Sequence, residues 1–296
     1  MQPFLDGLRQ LLGPADLLTD PADMAPYLTD WRRMFSGPAL AILRPGSTEQ
    51  VSAAVGLCAQ HGVAIVPQGG NTGLAGGATP LGRAPQVVLS LARMTAIGTP
   101  DPIGMVIEAQ AGCILQRVKE VAADCGRQLP ISLAAEGSAT VGGVIATNAG
   151  GVNVLRYGMA RDFVLGLEVV LPDGTVVKGL KPLRKDNAGF DWKHLFIGSE
   201  GAFGIVTAAV LRLTPATRHR SVALLSVQDL PAATRLLGLF QDRIGETLSA
   251  FELISADAIR LVETQCGLGA PVSGGNWFLL VEAASSLDGL PAAVQA

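Results

Sequence analysis

The chain has 296 residues, of which 49% are hydrophobic and 16% charged, and its formal net charge is −3. That composition is globular, with ample apolar material for a core, and the length sets a prior of about two domains. Nucleic-acid binding gains no support, because the basic residues form no long run; the nearest cluster, Arg212 to Arg220, reads as the solvated end of an element.

The N-terminal stretch is broken by Asp6, Arg9 and Asp16 and lacks the apolar core of a signal peptide. Residues 1–35 are expected to be a helical lead-in, with Phe4, Leu8, Leu11 and Leu12 at helical spacing. "ALAILRP" (39–45) reads as a short buried strand. The next segment, 47–62, reads as a helix: Ser47 and Gln50 suggest a capping box, Val51, Val55 and Cys58 share a face, and Gly62 ends it. "VAIVP" (63–67) is a second short strand, and a glycine-rich stretch starts where it ends. In open α/β sheets that edge is where ligands bind.

From about residue 86 the texture changes. "QVVLSL", "MVIEAQAG", "LGLEVVLPDGTVV" and "GIVTAAVLRL" read as strands, and the "PDGT" turn at 172–175 predicts a hairpin over 164–178. One helix is expected at 113–126. Past Pro215 come a strand (221–227), a helix (230–244), a strand or mixed piece (248–255), a helix (256–267) and a strand (276–284). The fold class expected is α+β, with a boundary near 216. No apolar run reaches the ~18 residues of a membrane span. Cys58, Cys113, Cys125 and Cys266 form no CxxC, so they read as free thiols in a reducing compartment. A cytoplasmic location is the expectation.

Three segments combine glycine with small hydroxyl residues. They are "PQGGNTGLAGGATP" (67–80), "EGSATVGGVIATNAGG" (136–151) and "IGSEGAFGIV" (197–206). The first holds no lysine or arginine and matches neither Gly-Lys-Ser/Thr nor GxGxxG. Glycine admits backbone close to a ligand, and successive backbone N–H groups bind anions without side-chain charge. Three such segments suggest one long ligand lined by backbone and hydroxyls, and a dinucleotide fits that description.

Together with "LRYG" (155–158), "LGLEVVLPDGTVV" and "LRKDNAGFDWKHLFIGSEGAFGIVTAAVLRLTP", these segments resemble the FAD-binding half of flavin-dependent D-2-hydroxy acid dehydrogenases. That group, the D-lactate, glycolate and D-2-hydroxyglutarate dehydrogenases, sits in the vanillyl-alcohol-oxidase-like superfamily. The resemblance is dense over about 30–216 and thinner beyond. It implies a two-subdomain FAD-binding fold: a small α/β subdomain (36–100) and a larger α+β subdomain (101–216), followed by an incomplete antiparallel α+β substrate cap (217–296). It implies that Pro67, Gln68, Gly69, Gly70, Asn71, Thr72 and Gly73 form the pyrophosphate loop. Gly137, Ser138, Thr140, Gly142, Gly143, Asn148 and Gly150 fall on a second flavin-contacting loop, and Glu200, Gly204 and Ile205 on a third.

The implied reaction is oxidation of a small D-2-hydroxy acid to the 2-oxo acid by hydride transfer to flavin N5. An external acceptor (quinone, cytochrome or electron-transfer flavoprotein) then takes the electrons. Some relatives attach FAD covalently through a loop histidine; no histidine lies between 62 and 193 here, so non-covalent FAD is expected. The family's histidine-containing "GHxGDGN" segment and its carboxylate-binding basic residues have no match in 217–296, so the catalytic residues are not assigned. A non-catalytic FAD-binding subunit, or a form that needs a partner subunit or homo-oligomer for substrate binding, is the alternative. A half-cap is expected to expose Trp277, Phe278, Leu279 and Leu280.

Among single residues, His61 reads as structural, His194 as structural or solvent-facing, and His219 as exposed in a linker, without metal-ligand spacing. Arg156 and Tyr157 read as packing and ion pairing under the FAD loops. Lys185, Asp186 and Asn187 either approach the flavin or order a loop, and Trp31 and Trp192 read as core.

Overall fold

The computed structural model describes residues 1–272 and 274–287. Two compact units emerge. The first comprises Met1–Leu129, Ala134–Ala149 and Ala160–Thr214; the second comprises Pro130–Leu133, Gly150–Met159 and Pro215–Ala296.

In the first unit, helix α1 (Gln2–Leu12) buries Phe4, Leu8 and Leu12. The lead-in is helical only in part, because β1 (Leu17–Leu18) leaves it to pair antiparallel with β2 (Ile42–Leu43). Helix α2 (Thr48–His61) starts at Ser47, whose hydroxyl accepts from the Gln50 N–H at 3.3 Å. The capping box is shifted by one residue: the Gln50 side chain accepts from the Gly46 N–H at 2.7 Å. Gly62, left-handed at φ 64°, closes the helix. Val51, Ala54, Val55 and Cys58 are the buried apolar face, and burial pushes the Cys58 thiol up to about 12. His61 stacks on Phe4 at 5.2 Å between ring centres, a structural role.

Strands β3 (Ala64–Gln68) and β4 (Gln86–Ser90) run parallel, giving a sheet ordered β1-β2-β4-β3. All of β4 is buried, as expected of a strand covered on both faces. The remainder of the unit is a second, antiparallel sheet with helices around it. Its strands are β5 (Val106–Gln110), β6 (Val164–Val170), β7 (Val176–Gly179) and β8 (Ile205–Arg212), ordered β5-β8-β6-β7. The predicted hairpin is β6–β7. Gly174 turns it at φ 88°, and the Asp173 carboxylate accepts from the Thr175 N–H at 2.8 Å. Helices α3 (Leu115–Asp124) and α4 (Val141–Ala146) lie between β5 and β6 in the chain.

The second unit holds β9 (His219–Val227), α5 (Leu230–Ile244), β10 (Leu248–Ser255), α6 (Ala256–Cys266) and β11 (Trp277–Ser285). The sheet is antiparallel, ordered β9-β11-β10. The α+β class holds throughout. The expected apolar exposure at 277–280 does not: β11 is the central strand, so Phe278 is 4% exposed and Leu279 fully buried against α5. His219 is likewise not linker but the first residue of β9, half-buried and opposite Ser285. The last expected cap residues, 288–296, lie outside the described residues.

Candidate functional site

The three glycine segments, apart from Gly150 and Gly151, meet in the first unit. The first loop leaves the C-terminal end of β3, the edge expected to bind ligand. Gln68 is buried at its root, and its side-chain amide donates to the carbonyls of Tyr27 (3.0 Å) and Ala78 (2.8 Å), closing the loop's base. Among the described residues, no backbone N–H from Gly70 to Ala78 has a protein acceptor. Much of the run is exposed, so these donors are open to solvent or to an anion. Asn71 is left-handed at φ 51° within that run, and its side-chain N–H donates to Thr29 O at 2.9 Å.

The second segment abuts the first. A Cβ on Gly69 would run into the Thr140 hydroxyl, and one on Gly70 into the Ser138 carbonyl oxygen. Thr140 caps α4, accepting from the Gly143 N–H at 3.4 Å. Gly142 serves packing: it donates to Ala111 O at 2.8 Å, and a Cβ would lie 2.7 Å from the Ala111 methyl. Gly137 and Ser138 are exposed. Asn148, left-handed at φ 46°, accepts from the Arg161 N–H at 3.0 Å.

The third segment is tied to the other two. Glu200 N–H donates to Ala146 O at 2.9 Å, at the end of α4, with Glu200 itself left-handed at φ 50°. A Cβ on Gly77 would come within 2.5 Å of a Glu200 carboxylate oxygen, and one on Gly201 within 2.7 Å of Pro67. Gly204 and Ile205 lie deeper. Both are buried, and Gly204 faces Val169, Val170 and Phe196. Gly69 and Gly70 therefore meet Thr140 and Ser138 of the second segment, and Gly77 and Pro67 meet Glu200 and Gly201 of the third, while Gly142, Gly204 and Ile205 are packed inside. Gly150 groups with the second unit. The ionisable residues of the three segments are Glu136, held by Lys119 at 2.6 Å, and Glu200.

Arg156 and Tyr157 group with the second unit. There the Arg156 guanidinium donates to Ala284 O at 2.5 Å and sits 4.7 Å over the Tyr157 ring. Lys185, Asp186 and Asn187 are exposed, and Asp186 orders its loop through Lys181 at 3.1 Å and the Ala188 N–H at 3.3 Å. Those two bonds, Lys181 first, hold the Asp186 carboxyl below its ordinary range. His194 is exposed between Asp191 (3.3 Å) and Arg161 (3.4 Å). Trp192 is half-buried and packs edge-on against Phe196. Trp31 is not core: it is 69% exposed, at a turn.

That turn is what the sequence reading missed. "TDWRRMFSG" (29–37) packs on the first loop, and its legible signal was Asp30, with Ser36 and Gly37 closing the stretch. Phe35 lies beneath Gly76, where an added Cβ would be 2.5 Å from the ring.

A dinucleotide is tested by this cradle on two counts. The unpaired N–H run suits a diphosphate, and the missing Cβ atoms at Gly69 and Gly70 let two backbone segments close without side-chain bulk. Both fit.

Residues 39–179 match the model of the FAD binding domain family. The chain is 40% identical over 276 residues to the mitochondrial D-2-hydroxyglutarate dehydrogenase of Bos taurus, covering 93% of this chain and 50% of that protein. It is 37% identical over 280 residues to the mitochondrial D-2-hydroxyglutarate dehydrogenase of Arabidopsis thaliana, covering 94% and 50%. It is 34% identical over 282 residues to the D-2-hydroxyglutarate–pyruvate transhydrogenase of Saccharomyces cerevisiae, covering 94% and 56%. The chain thus spans about half the length of these relatives. Among solved structures, alkyldihydroxyacetonephosphate synthase superposes with TM-score 0.79 at 19% identity, over 96% of this chain and 56% of that one. Substrate-bound p-cresol methylhydroxylase gives 0.78 at 18%, over 99% and 62%. Those likenesses establish the fold. The relatives' names also overturn the cytoplasmic expectation, since the bovine, rat and rice proteins are mitochondrial dehydrogenases. Free thiols report a reducing compartment, and the cytosol is only one of those.

Proposed function

We propose that this chain, in which residues 39–179 form an FAD binding domain, is the flavin-holding half of a dehydrogenase that oxidises a small D-2-hydroxy acid to its 2-oxo acid. The acid is of the D-2-hydroxyglutarate, D-lactate or glycolate type, and the electrons pass to an external acceptor such as a quinone, a cytochrome or an electron-transfer flavoprotein. The observation that carries the reading is the convergence of the three glycine segments on one run of unpaired N–H donors. The 40% identity to a D-2-hydroxyglutarate dehydrogenase supports the substrate class.

Bound FAD supplies the two-electron acceptor. The chain's part is to bind and orient. The N–H groups of Gly70–Ala78 receive the diphosphate, and Gly69 and Gly70 let the first and second loops close on one another. Ser138 and Thr72 offer hydroxyls beside them, and the Glu200 carboxylate accepts from a ligand hydroxyl or N–H. Histidine is absent from the three loops, so FAD is held without a covalent bond and is released by acid precipitation. As domains we assign 1–35 as lead-in, 36–216 as the flavin-binding domain and 217–296 to a substrate cap.

A second reading is favoured by one observation: the three segments themselves carry two carboxylates and no basic residue, and the cations that reach them are already engaged, Lys119 by Glu136 and Arg161 by Ile197 O. On that reading the chain is a flavin-binding subunit that needs a partner. The visible spectrum of the purified chain, before and after anaerobic D-2-hydroxyglutarate or D-lactate, separates the two. Bleaching by one acid establishes the dehydrogenase. A flavin spectrum that never bleaches leaves the subunit. No flavin after reconstitution with FAD sinks both.

A further inference from the structure

The anion nest does not hold its own shape. An N–H concavity needs neighbouring residues of opposite hand; in this loop Gly76, at φ 75°, takes the left-handed conformation freely, and the left-handed residue that carries a side chain is Asn71, at φ 51°. Asparagine tolerates that conformation better than most residues but does not default to it. What fixes it lies outside the loop. The Asn71 side-chain amide donates to Thr29 O at 2.9 Å, so the position of Thr29 sets the hand of Asn71.

Thr29 in turn is placed by Asp30. That residue is 3% exposed, and its carboxylate accepts from the Phe35 N–H at 2.7 Å and the Arg32 N–H at 3.2 Å. Its own N–H donates to Phe35 O at 3.0 Å, and its carbonyl accepts from Arg33 N–H at 3.0 Å. The hydroxyls of Thr29 and Ser36 meet at 3.1 Å across the turn's base. The far side of the turn reaches the same loop again, through Phe35 beneath Gly76. One buried carboxylate thus folds a turn that grips the glycine loop at Asn71 and at Gly76.

We infer that Asp30 is a positioning residue for the flavin diphosphate site: it folds the 29–36 turn, and the turn holds Asn71 left-handed through Thr29 O. This rests on the proposed function, because it takes the loop to be a diphosphate nest. It adds that the affinity of the nest is set by a residue that touches no ligand.

The test measures FAD affinity of the apo chain by flavin fluorescence. Asp30→Ala is expected to weaken binding by about tenfold, the scale of a lost hydrogen bond to a charged group. Asn71→Ala should weaken it similarly, and the double variant no more than the weaker-binding single, since both break one linkage. Asp30→Asn, which still accepts from Phe35 N–H, should recover part of the loss. The decisive variant is Asn71→Gly in the Asp30→Ala background. Glycine adopts φ > 0 unaided, so it should restore binding towards wild type, which a general loss of folding would not permit. Wild-type affinity in Asp30→Ala, multiplicative losses in the double variant, or no rescue by Asn71→Gly would each overturn the inference while leaving the flavin assignment standing. Wild-type chain that takes up no FAD would instead remove the functional reading beneath it.

Discussion

Gly70 and Gly73 of the first glycine loop leave room for neighbouring backbone and for open space, whereas Gly204 of the third segment leaves room for the packed interior. Gly70 lies against Ser138 O of the neighbouring loop, and Gly73 has nothing within 4 Å of where its Cβ would stand. Gly204 sits buried with Val169 Cγ1 at 2.8 Å, Val170 O at 2.9 Å and a Phe196 ring carbon at 3.1 Å from the same position. The same residue type therefore lines an open loop in one place and sheet packing in another. Counting glycines in a motif does not separate the two.

Substitution separates them. The largest effect on the fold is expected at Gly204→Ala, where the methyl has no room and must push apart β6 and the Phe196 ring. Overpacking of that kind costs about 1–3 kcal/mol, read as a fall in the thermal midpoint. Protein that remains folded should bind FAD with near wild-type affinity, because Gly204 stands behind the cradle. A loss of affinity without a fall in midpoint would move Gly204 from the packing region to the ligand edge.

Gly70→Ala comes next. Its methyl would meet the Ser138 carbonyl, so the first and second loops must part. Loop residues are partly exposed and can shift, which limits the cost to the fold to about 1 kcal/mol. FAD affinity should fall by tenfold or more, since each tenfold is about 1.4 kcal/mol of lost loop geometry. Equal losses in midpoint for Gly70→Ala and Gly204→Ala, with affinity intact in both, would erase the distinction between the regions.

Much of this was legible in the sequence. The strand–helix–strand run that ends in the first loop, the "PDGT" hairpin and the three glycine segments all carry local signals, and each forms where its residues suggest. What escaped was set by partners distant in sequence. Trp31 reads as core by residue type, yet it stands 69% exposed because the turn beside it spends its bonds on Asp30 and on the loop some forty residues later. Trp277 to Leu280 read as apolar surface exposed on an incomplete cap, yet they lie in the central strand, with 219–227 and 248–255 paired on either side and Leu279 buried. The "LRYG" stretch sits between two flavin segments in the chain but packs in the second unit, where Arg156 reaches Ala284. Adjacency in a motif is not adjacency in space, and no local periodicity encodes it.

Gly73→Ala should disturb the fold least and yet define the site most sharply. Its φ lies outside the left-handed range and its Cβ would meet no protein atom, so the apo chain should unfold within about 0.5 kcal/mol of wild type. On a structural account of the loop nothing else should change. On the ligand account, the space beside Gly73 belongs to the diphosphate, and a methyl there should lower FAD affinity several-fold with no change in apo stability. Because the protein offers the new methyl no contact, any loss of binding has to come from the ligand's side. A Gly73→Ala chain with unaltered affinity would confine the diphosphate to Gly69–Thr72, nearer the second loop and Thr140.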